Sequence, residues 1–399
     1  MFDGQRWAAV RAAACLLKGS AMKYKSNHVR WLALLGALLL MLAACGSDDS
    51  DASDDSSADV TSGDSTDGEG ASGDSNGGSD GNVLAGVQDA GVVRCGTRDA
   101  LPGFSVLEDD GSHVGFDADF CRVIAAAVLG DAEAVEFVDL ETEARFTALQ
   151  SGEIDVLVRN TTWTASRDGV EAATFLQPNF YDGQGMMVAT DSGIEDLDGL
   201  AGAVVCVAAG TTTEGNVANE FARLGLDAPE IQSFEDTDLI QEAFQQGRCD
   251  GWSSDVSQLA SLRSDYPDGP DALTILDVVF SKEPLAPAVL DGDSEWAQVV
   301  NWAIFATIQA EEFGITKANV DDFLDSDDPS VMIFLGQAGE DGAVVDPGLG
   351  LPVDFAYQVV AQVGNYGEIF DAHLAPLGIE RGLNQLWSDG GLLYSPPYR

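Results

Sequence analysis

The stretch Leu149 to Arg167, LQSGEIDVLVRNTTWTASR, sets hydroxyl and amide side chains and one arginine directly beyond a short apolar run. Asn160, Thr161 and Thr162 offer neutral donors. Arg167 adds a planar, permanently charged fork that can hold a carboxylate through two parallel bonds. Thr164 is placed to cap a short helix running into Ala165 to Gly169, which would fix the arginine in space. The chemistry on offer is recognition of a small carboxylate.

That chemistry needs a scaffold. Ile154 to Val158 is β-branched and apolar after a Ser-Gly turn signal, so it reads as a buried strand of a parallel sheet. The loop that leaves such a strand lies at the sheet's carboxyl edge, where open α/β sheets bind their ligands. Upstream, strands are expected at Val92 to Gly96 and Ala134 to Val138, and helices at Ala118 to Leu129 and Ala144 to Ser151, with a hairpin around Asp109 to Ser112. A second alternating block comes after Met187. It has strands at Ala203 to Val207, Ile231 to Phe234 and Gly251 to Ser253, and helices at Glu214 to Leu224, Asp236 to Gln246 and Asp255 to Arg263. Alternation of this kind gives an α/β fold. After Glu283 the chain turns helix-rich. Ser326 to Pro352 reads as an insertion with a Gly- and Asp-rich loop, Val353 to Asn365 as an amphipathic helix, and the tail from Leu392, with Pro396 and Pro397, as non-helical.

The chain has 399 residues, 45% of them hydrophobic, enough for two domains with sizeable cores. Its 67 acidic residues against 19 basic ones give a net charge of −48, which repels phosphate backbones and anionic membranes. Nucleic acid is therefore excluded as a partner. No His or carboxylate spacing suits a metal, and no cofactor motif is present.

The N-terminus carries an export signal. Lys23, Lys25 and Arg30 precede an apolar run, Trp31 to Leu42, too short for a comfortable membrane span, and Leu42-Ala43-Ala44-Cys45 comes next. The pattern resembles the lipobox of bacterial lipoproteins, which implies that Cys45 is lipidated and that Met22 could be the true start. Gly46 to Gly81 is nearly all Ser, Asp, Gly and Ala, with no Lys or Arg, and reads as an unfolded, charge-extended tether.

From about Val92 to Arg399 the chain resembles the polar amino-acid-binding proteins of ABC importers, within them the general L-amino-acid-binding group. The motifs that carry this likeness, in order, are VRCGTRDALPGFS from Val92, GFDADFCRVIAAAVLGD from Gly115, RFTALQSGEIDVLVRNTTWTASRD from Arg145, YDGQGMMV from Tyr181, GTTTE from Gly210, GNYGEIF from Gly364 and RGLNQLWSDGGLLYSPPYR from Arg381. The resemblance implies a periplasmic-binding-protein-like type II fold, two α/β lobes joined by a two-strand hinge. The corresponding boundaries are 1–45 signal, 46–82 tether, 83–184 first part of lobe I, 185–284 lobe II, and 285–399 the return to lobe I with a C-terminal extension. The chain would cross between lobes near Asp182 to Gly185 and Glu283 to Ala288. Gly183 and Gly185 suit a hinge or a plain turn.

By the same resemblance Arg167, Thr162 and Asn160 would hold a ligand carboxylate from one lobe. Thr212 and Thr213 in the Gly210-Thr211-Thr212 loop would hold it from the other, and Asp255 would accept the ligand ammonium. Arg98 and Leu101, with Asp99 between them and Phe104 behind, fall where the family contacts the ligand's side chain. Arg98, with Arg159 beyond it, tilts the expected ligand toward glutamate, aspartate or glutamine, though a broad-specificity site also accepts neutral ligands. Closing such a cleft over its charges would require ligand.

Cys95 is expected to pair with Cys121, and Cys206 with Cys249, unless all four remain buried thiols. The implied protein is a monomer, lipid-anchored outside the cytoplasm, that delivers an L-amino acid to a membrane permease driven by a cytoplasmic ATPase. Two alternatives stay open. One is an enzyme on the same fold, similar to cyclohexadienyl dehydratase, for which His28, His113 and His373 all lie outside the expected cleft. The other is a sensor that presents its ligand to a receptor.

Overall fold

A computed structural model describes residues 82–339 and 342–398. The signal, Cys15, Cys45 and the acidic tether lie outside the described residues.

Two five-stranded sheets organise the chain, and both are strung in the same way. In the first, strand Val93–Thr97 lies between Val135–Asp139 and Val156–Leu157, parallel to both, and Ala288–Leu290 then runs antiparallel between Val156–Leu157 and Ala173–Phe175. In the second, Val204–Ala208 lies parallel between Glu230–Phe234 and Gly251–Asp255, and Gln184–Ala189 runs antiparallel between Gly251–Asp255 and Leu273–Ile275. The strand order therefore reverses at Val93–Thr97 in the first sheet and at Val204–Ala208 in the second. Loops leave in opposite directions there and open a crevice at the carboxyl edge.

The expected strand Ile154 to Val158 pairs only over Val156–Leu157. Backbone bonds from Asp155 N to Arg94 O and from Val158 N to Gly96 O nonetheless keep the rest of the run against its neighbour. Helix ends obey the sequence signals. Thr164 Oγ1 accepts from Arg167 N at 3.2 Å and starts the helix Ala165–Val170. Asn365 forms a capping box with Glu368 at the helix Tyr366–His373.

The lobes are joined by two crossing strands, Phe180–Asp182 and Glu283–Leu285, paired antiparallel with Asp182 opposite Glu283. Neither Gly183 nor Gly185 has the positive φ that favours glycine. Their small size answers to crowding instead. A Cβ on Gly183 would come within 2.3 Å of Val279, and one on Gly185 within 2.8 Å of Val256.

After the second crossing the chain returns to the first sheet. The helices Ser294–Phe313, Phe116–Leu129 and Phe355–Gln362 pack against one another, and Trp296, Ile304, Phe120 and Val360 are among the buried side chains there. The amphipathic helix expected over Val353 to Asn365 spans Phe355–Gln362. The extended tail ends on this layer, where the Tyr398 ring meets Trp302, Phe334 and Phe355.

Disulfides join Cys95 to Cys121 and Cys206 to Cys249, with Cα atoms 6.0 and 5.8 Å apart. Each ties a central strand of a sheet, Val93–Thr97 or Val204–Ala208, to chain later in the same lobe: Cys121 lies in the helix packed on that sheet, and Cys249 lies just before the neighbouring strand.

Candidate functional site

The carboxyl edges of the two sheets face each other across a narrow polar slot. The non-atom space in it is ≈ 450 Å³, part of it open to solvent. From the first lobe come Arg98, Thr142, Arg145, Arg159, Asn160, Thr162 and Arg167; from the second, Ala208, Thr211, Thr212, Thr213, Thr237, Ser254, Asp255 and Gln258.

Of the residues picked out by sequence, Arg98, Asn160, Thr162, Arg167, Thr212, Thr213 and Asp255 all line this slot. Leu101 does not. Its two-residue strand, Ala100–Leu101, turns back into the hairpin strand Ser105–Leu107, and strand alternation sends Ala100 to solvent and Leu101 into the core with Phe104.

Four guanidinium groups dominate the first-lobe wall. Arg167 donates to Thr162 O at 2.9 Å and reaches across to Gly210 O at 3.3 Å. Arg145, at the start of the helix Arg145–Ser151, donates to the same Gly210 carbonyl at 3.0 Å, and its buried Nε has no partner. Both guanidinium groups lie over the ring of Phe146, at 5.2 Å for Arg145 and 5.7 Å for Arg167. Arg159 is bound to Leu140 O and Thr142 Oγ1, and Arg98 to Thr237 Oγ1 across the slot. Asn160, held at a positive φ of 33°, closes a further bridge from its Nδ2 to Gln258 Oε1 at 3.0 Å. The left-handed conformation costs asparagine less than other non-glycine residues, and strain of this kind gathers at binding sites.

Arginines crowded in a water-poor space hold their protons less firmly. Burial first, then the charges of Arg167, Arg159 and Arg98, brings Arg145 well below the usual arginine range. Burial and Arg98 lower Arg159 to about 9, against the pull of Glu141 and Asp117.

The acids show the opposite response. Asp117, buried at the start of the helix Phe116–Leu129, accepts from Asn160 N at 2.9 Å, yet burial raises it to about 7 despite Arg98 and Arg159 nearby. Asp255 ends its strand, does not cap the helix Val256–Ser264, and is raised well above the carboxylate range by burial and then by Asp182 and Glu283. A cation placed beside Asp255 would reverse that.

The second-lobe wall is otherwise neutral. After strand Val204–Ala208 the chain turns at Gly210, with φ +68°, into the helix Thr213–Leu224. Thr212 does not cap this helix through its side chain and donates instead to Glu283 Oε2 at 3.2 Å. Thr211 takes up Thr213 N through its hydroxyl at 3.2 Å. The positive end of the helix thus opens on the slot, a natural place for an anion.

With this geometry in place, known proteins supply the family. The model of the bacterial extracellular solute-binding proteins, family 3, matches residues 93–317. The chain belongs to that family. Among relatives of this solute-binding protein, the general L-amino acid-binding periplasmic protein AapJ of Rhizobium johnstonii is 45% identical over 319 residues, covering 79% of this chain and 92% of its own. The glutamate/glutamine/aspartate/asparagine-binding protein BztA of Rhodobacter capsulatus is 42% identical, covering 80% and 94%. A solved periplasmic binding protein of an ABC transporter from Brucella ovis, with glutathione bound, is 42% identical with a TM-score of 0.76, covering 80% of this chain and 99% of that one.

Sequence reasoning missed Arg145, Thr142, Thr237, Ser254, Gln258 and the buried Asp117, and noted Arg159 only as a nearby charge. Arg145 and Thr142 come after the strand Val135–Asp139, at the same carboxyl edge as Arg98 and Asn160. A rule that every loop leaving that edge contributes would have found both. His113 and His373 lie outside the slot, paired with Asp139 at 2.8 Å and Asp119 at 2.7 Å. Among the described residues no group of three or more His, Cys, Asp or Glu side chains is arranged to hold a metal ion.

Burial of Asp117 has a measurable sign. A carboxyl raised from 3.8 to about 7 adds stability fully present below pH 4 and lost as pH rises through 7, on the order of a few kcal/mol. The Asp117→Asn variant keeps a side-chain acceptor for Asn160 N but cannot ionise. Denaturant unfolding from pH 4 to 8 should therefore show wild type losing stability relative to the variant as pH rises. Parallel curves would mean that Asp117 is ionised throughout.

Proposed function

We propose that this solute-binding protein captures an L-amino acid in the slot and hands it to a membrane permease powered by a cytoplasmic ATPase. Arg167 and the first-turn N–H groups beyond Gly210 take the α-carboxylate from opposite lobes, and Asp255 takes the ammonium. The observation that carries this reading is the placement of Arg167 and Asp255 in one narrow slot, each perturbed by burial and each partly offset by the other. A zwitterion set between them gives both a partner. Raised carboxyls in a cleft can also mark acid–base chemistry. Here they are assigned to binding, because the similar proteins are binding proteins by name.

Arg98, Arg145 and Arg159 leave the slot with more positive charge than one α-carboxylate uses, which favours glutamate, aspartate and their amides. The names of the relatives support this range, and the glutathione-bound neighbour, whose ligand has two carboxylates and one ammonium, supports a tolerant pocket. Admission of any such ligand requires the lobes to part, exchanging the bonds to Gly210 O, Gln258 and Thr237 for contacts with the ligand.

Calorimetric titration with L-glutamate, L-glutamine and L-alanine tests the assignment. Arg167→Ala removes a charged partner and should weaken all three by more than about 30-fold. Because Asp255, held above the ordinary carboxylate range by burial, must ionise to face an ammonium, binding should release protons, seen as heats that change with buffer ionisation enthalpy, and affinity should fall as pH falls. Buffer-independent heats together with an Arg167→Ala variant of wild-type affinity would sink the placement.

The same reading anchors the protein to the outer face of the cell membrane through lipid on Cys45 and assigns it a monomeric state. Among the described residues no helix is long and apolar enough to cross a membrane. Mass spectrometry of the mature protein should find an acylated N-terminal peptide beginning at Cys45. A soluble product cut elsewhere would contradict the anchor.

A further inference from the structure

The first crossing strand is gripped from outside by the C-terminal extension. Tyr181 stands opposite Pro284 in the two-strand hinge. Proline has no N–H, and the Pro284 carbonyl already accepts from Trp163 N at 2.8 Å, so both backbone groups of Tyr181 face the open outer edge. Asn384 takes them both. Its Oδ1 accepts from Tyr181 N at 2.6 Å and its Nδ2 donates to Tyr181 O at 3.0 Å, the two bonds a third strand would make.

Asn384 is itself 3% exposed and held in place. Arg381 Nε donates to its carbonyl at 2.9 Å, and the same guanidinium lies over Tyr366 and Phe370 and is paired with Glu311. Two residues before Tyr181, the buried Tyr366 hydroxyl donates to Asn179 O at 2.7 Å. One residue beyond it, Asp182 accepts from Ser257 of the second-lobe helix Val256–Ser264, so the gripped segment is the last chain before lobe II.

Behind that helix is a gap with ≈ 760 Å³ of non-atom space, part of it open to solvent, bounded by Ser257, Ala260 and Arg263 on one side and by Arg381 and Asn384 on the other. Gln258, on the opposite face of the same helix, lines the ligand slot. A rotation that opens the slot drives the helix back into this gap.

We infer that the C-terminal extension is a brace and a stop for the hinge: Asn384 and Tyr366 position the pivot, and the gap behind the helix Val256–Ser264 sets how far the lobes can part. The inference rests on the proposed capture of a ligand between moving lobes.

Small-angle scattering of the full chain with and without L-glutamate, with stopped-flow binding rates, tests it on Asn384→Ala, Tyr366→Phe and Asn384→Asp. Loss of the grip should raise the radius of gyration of the free protein, leave that of the liganded form unchanged, and speed ligand dissociation by roughly threefold to tenfold for each net hydrogen bond lost. Tyr366→Phe removes only a hydroxyl and should move the same way without unfolding. Asn384→Asp keeps the acceptor for Tyr181 N but sets a carboxylate oxygen against Tyr181 O, and should loosen the pivot at least as much as alanine. Wild-type opening and rates in folded Tyr366→Phe and Asn384→Asp would overturn the brace. A wider free state in the variants with no ligand-induced compaction in any protein would uphold the brace and reject amino-acid capture.

Discussion

Four guanidinium groups share one water-poor wall of the interlobe slot, and the rest of the site is arranged around that concentration of charge. Coulomb repulsion among buried cations is strong. The fold meets it with neutral oxygens: Thr162 O, Leu140 O, Thr142, Thr237 and, from the opposite lobe, the single carbonyl of Gly210 taken by both Arg145 and Arg167. Neutral acceptors satisfy donors but do not cancel charge. An anion between the lobes would do both, and on the proposed function recognition of a carboxylate and closure of the slot become one event.

The acids obey the same logic in reverse. Asp255 shares its surroundings with Asp182 and Glu283 at the hinge and with Arg145 and Arg167 in the slot, and burial outweighs the arginines. Glu283 in turn accepts from Thr212, Asn216 and Ser281, which connects the hinge to the start of the helix Thr213–Leu224. The hinge strand, the start of the helix Thr213–Leu224 and the buried Asp255 are thereby linked through a few side chains. The C-terminal extension adds a fixed support to this assembly from the lobe I side.

Much of this was legible in the residues. The expected strands Ile154 to Val158, Ala203 to Val207 and Gly251 to Ser253 placed three sheet edges, and Thr164 marked the cap that orients Arg167. The burial of Arg145 was not legible, because an arginine opening an amphipathic helix has the same local pattern on a surface as in a cleft; only the second lobe, contributed by sequence 65 residues away, closes over it. Leu101 was misplaced for a related reason. A two-residue strand gives no period to tell which side faces the core, and its partner Ser105 decides. Gly183 and Gly185 suggested torsional freedom, whereas Val279 and Val256 require their lack of a side chain.

The most direct test of the account is a crystal structure of the protein with L-glutamate. The account predicts the α-carboxylate between Arg167 and the N–H groups just beyond Gly210, the ammonium on Asp255, and the Gly210 carbonyl released from at least one of its two arginines. A ligand bound elsewhere, or held in the slot with its ammonium away from Asp255, would contradict it.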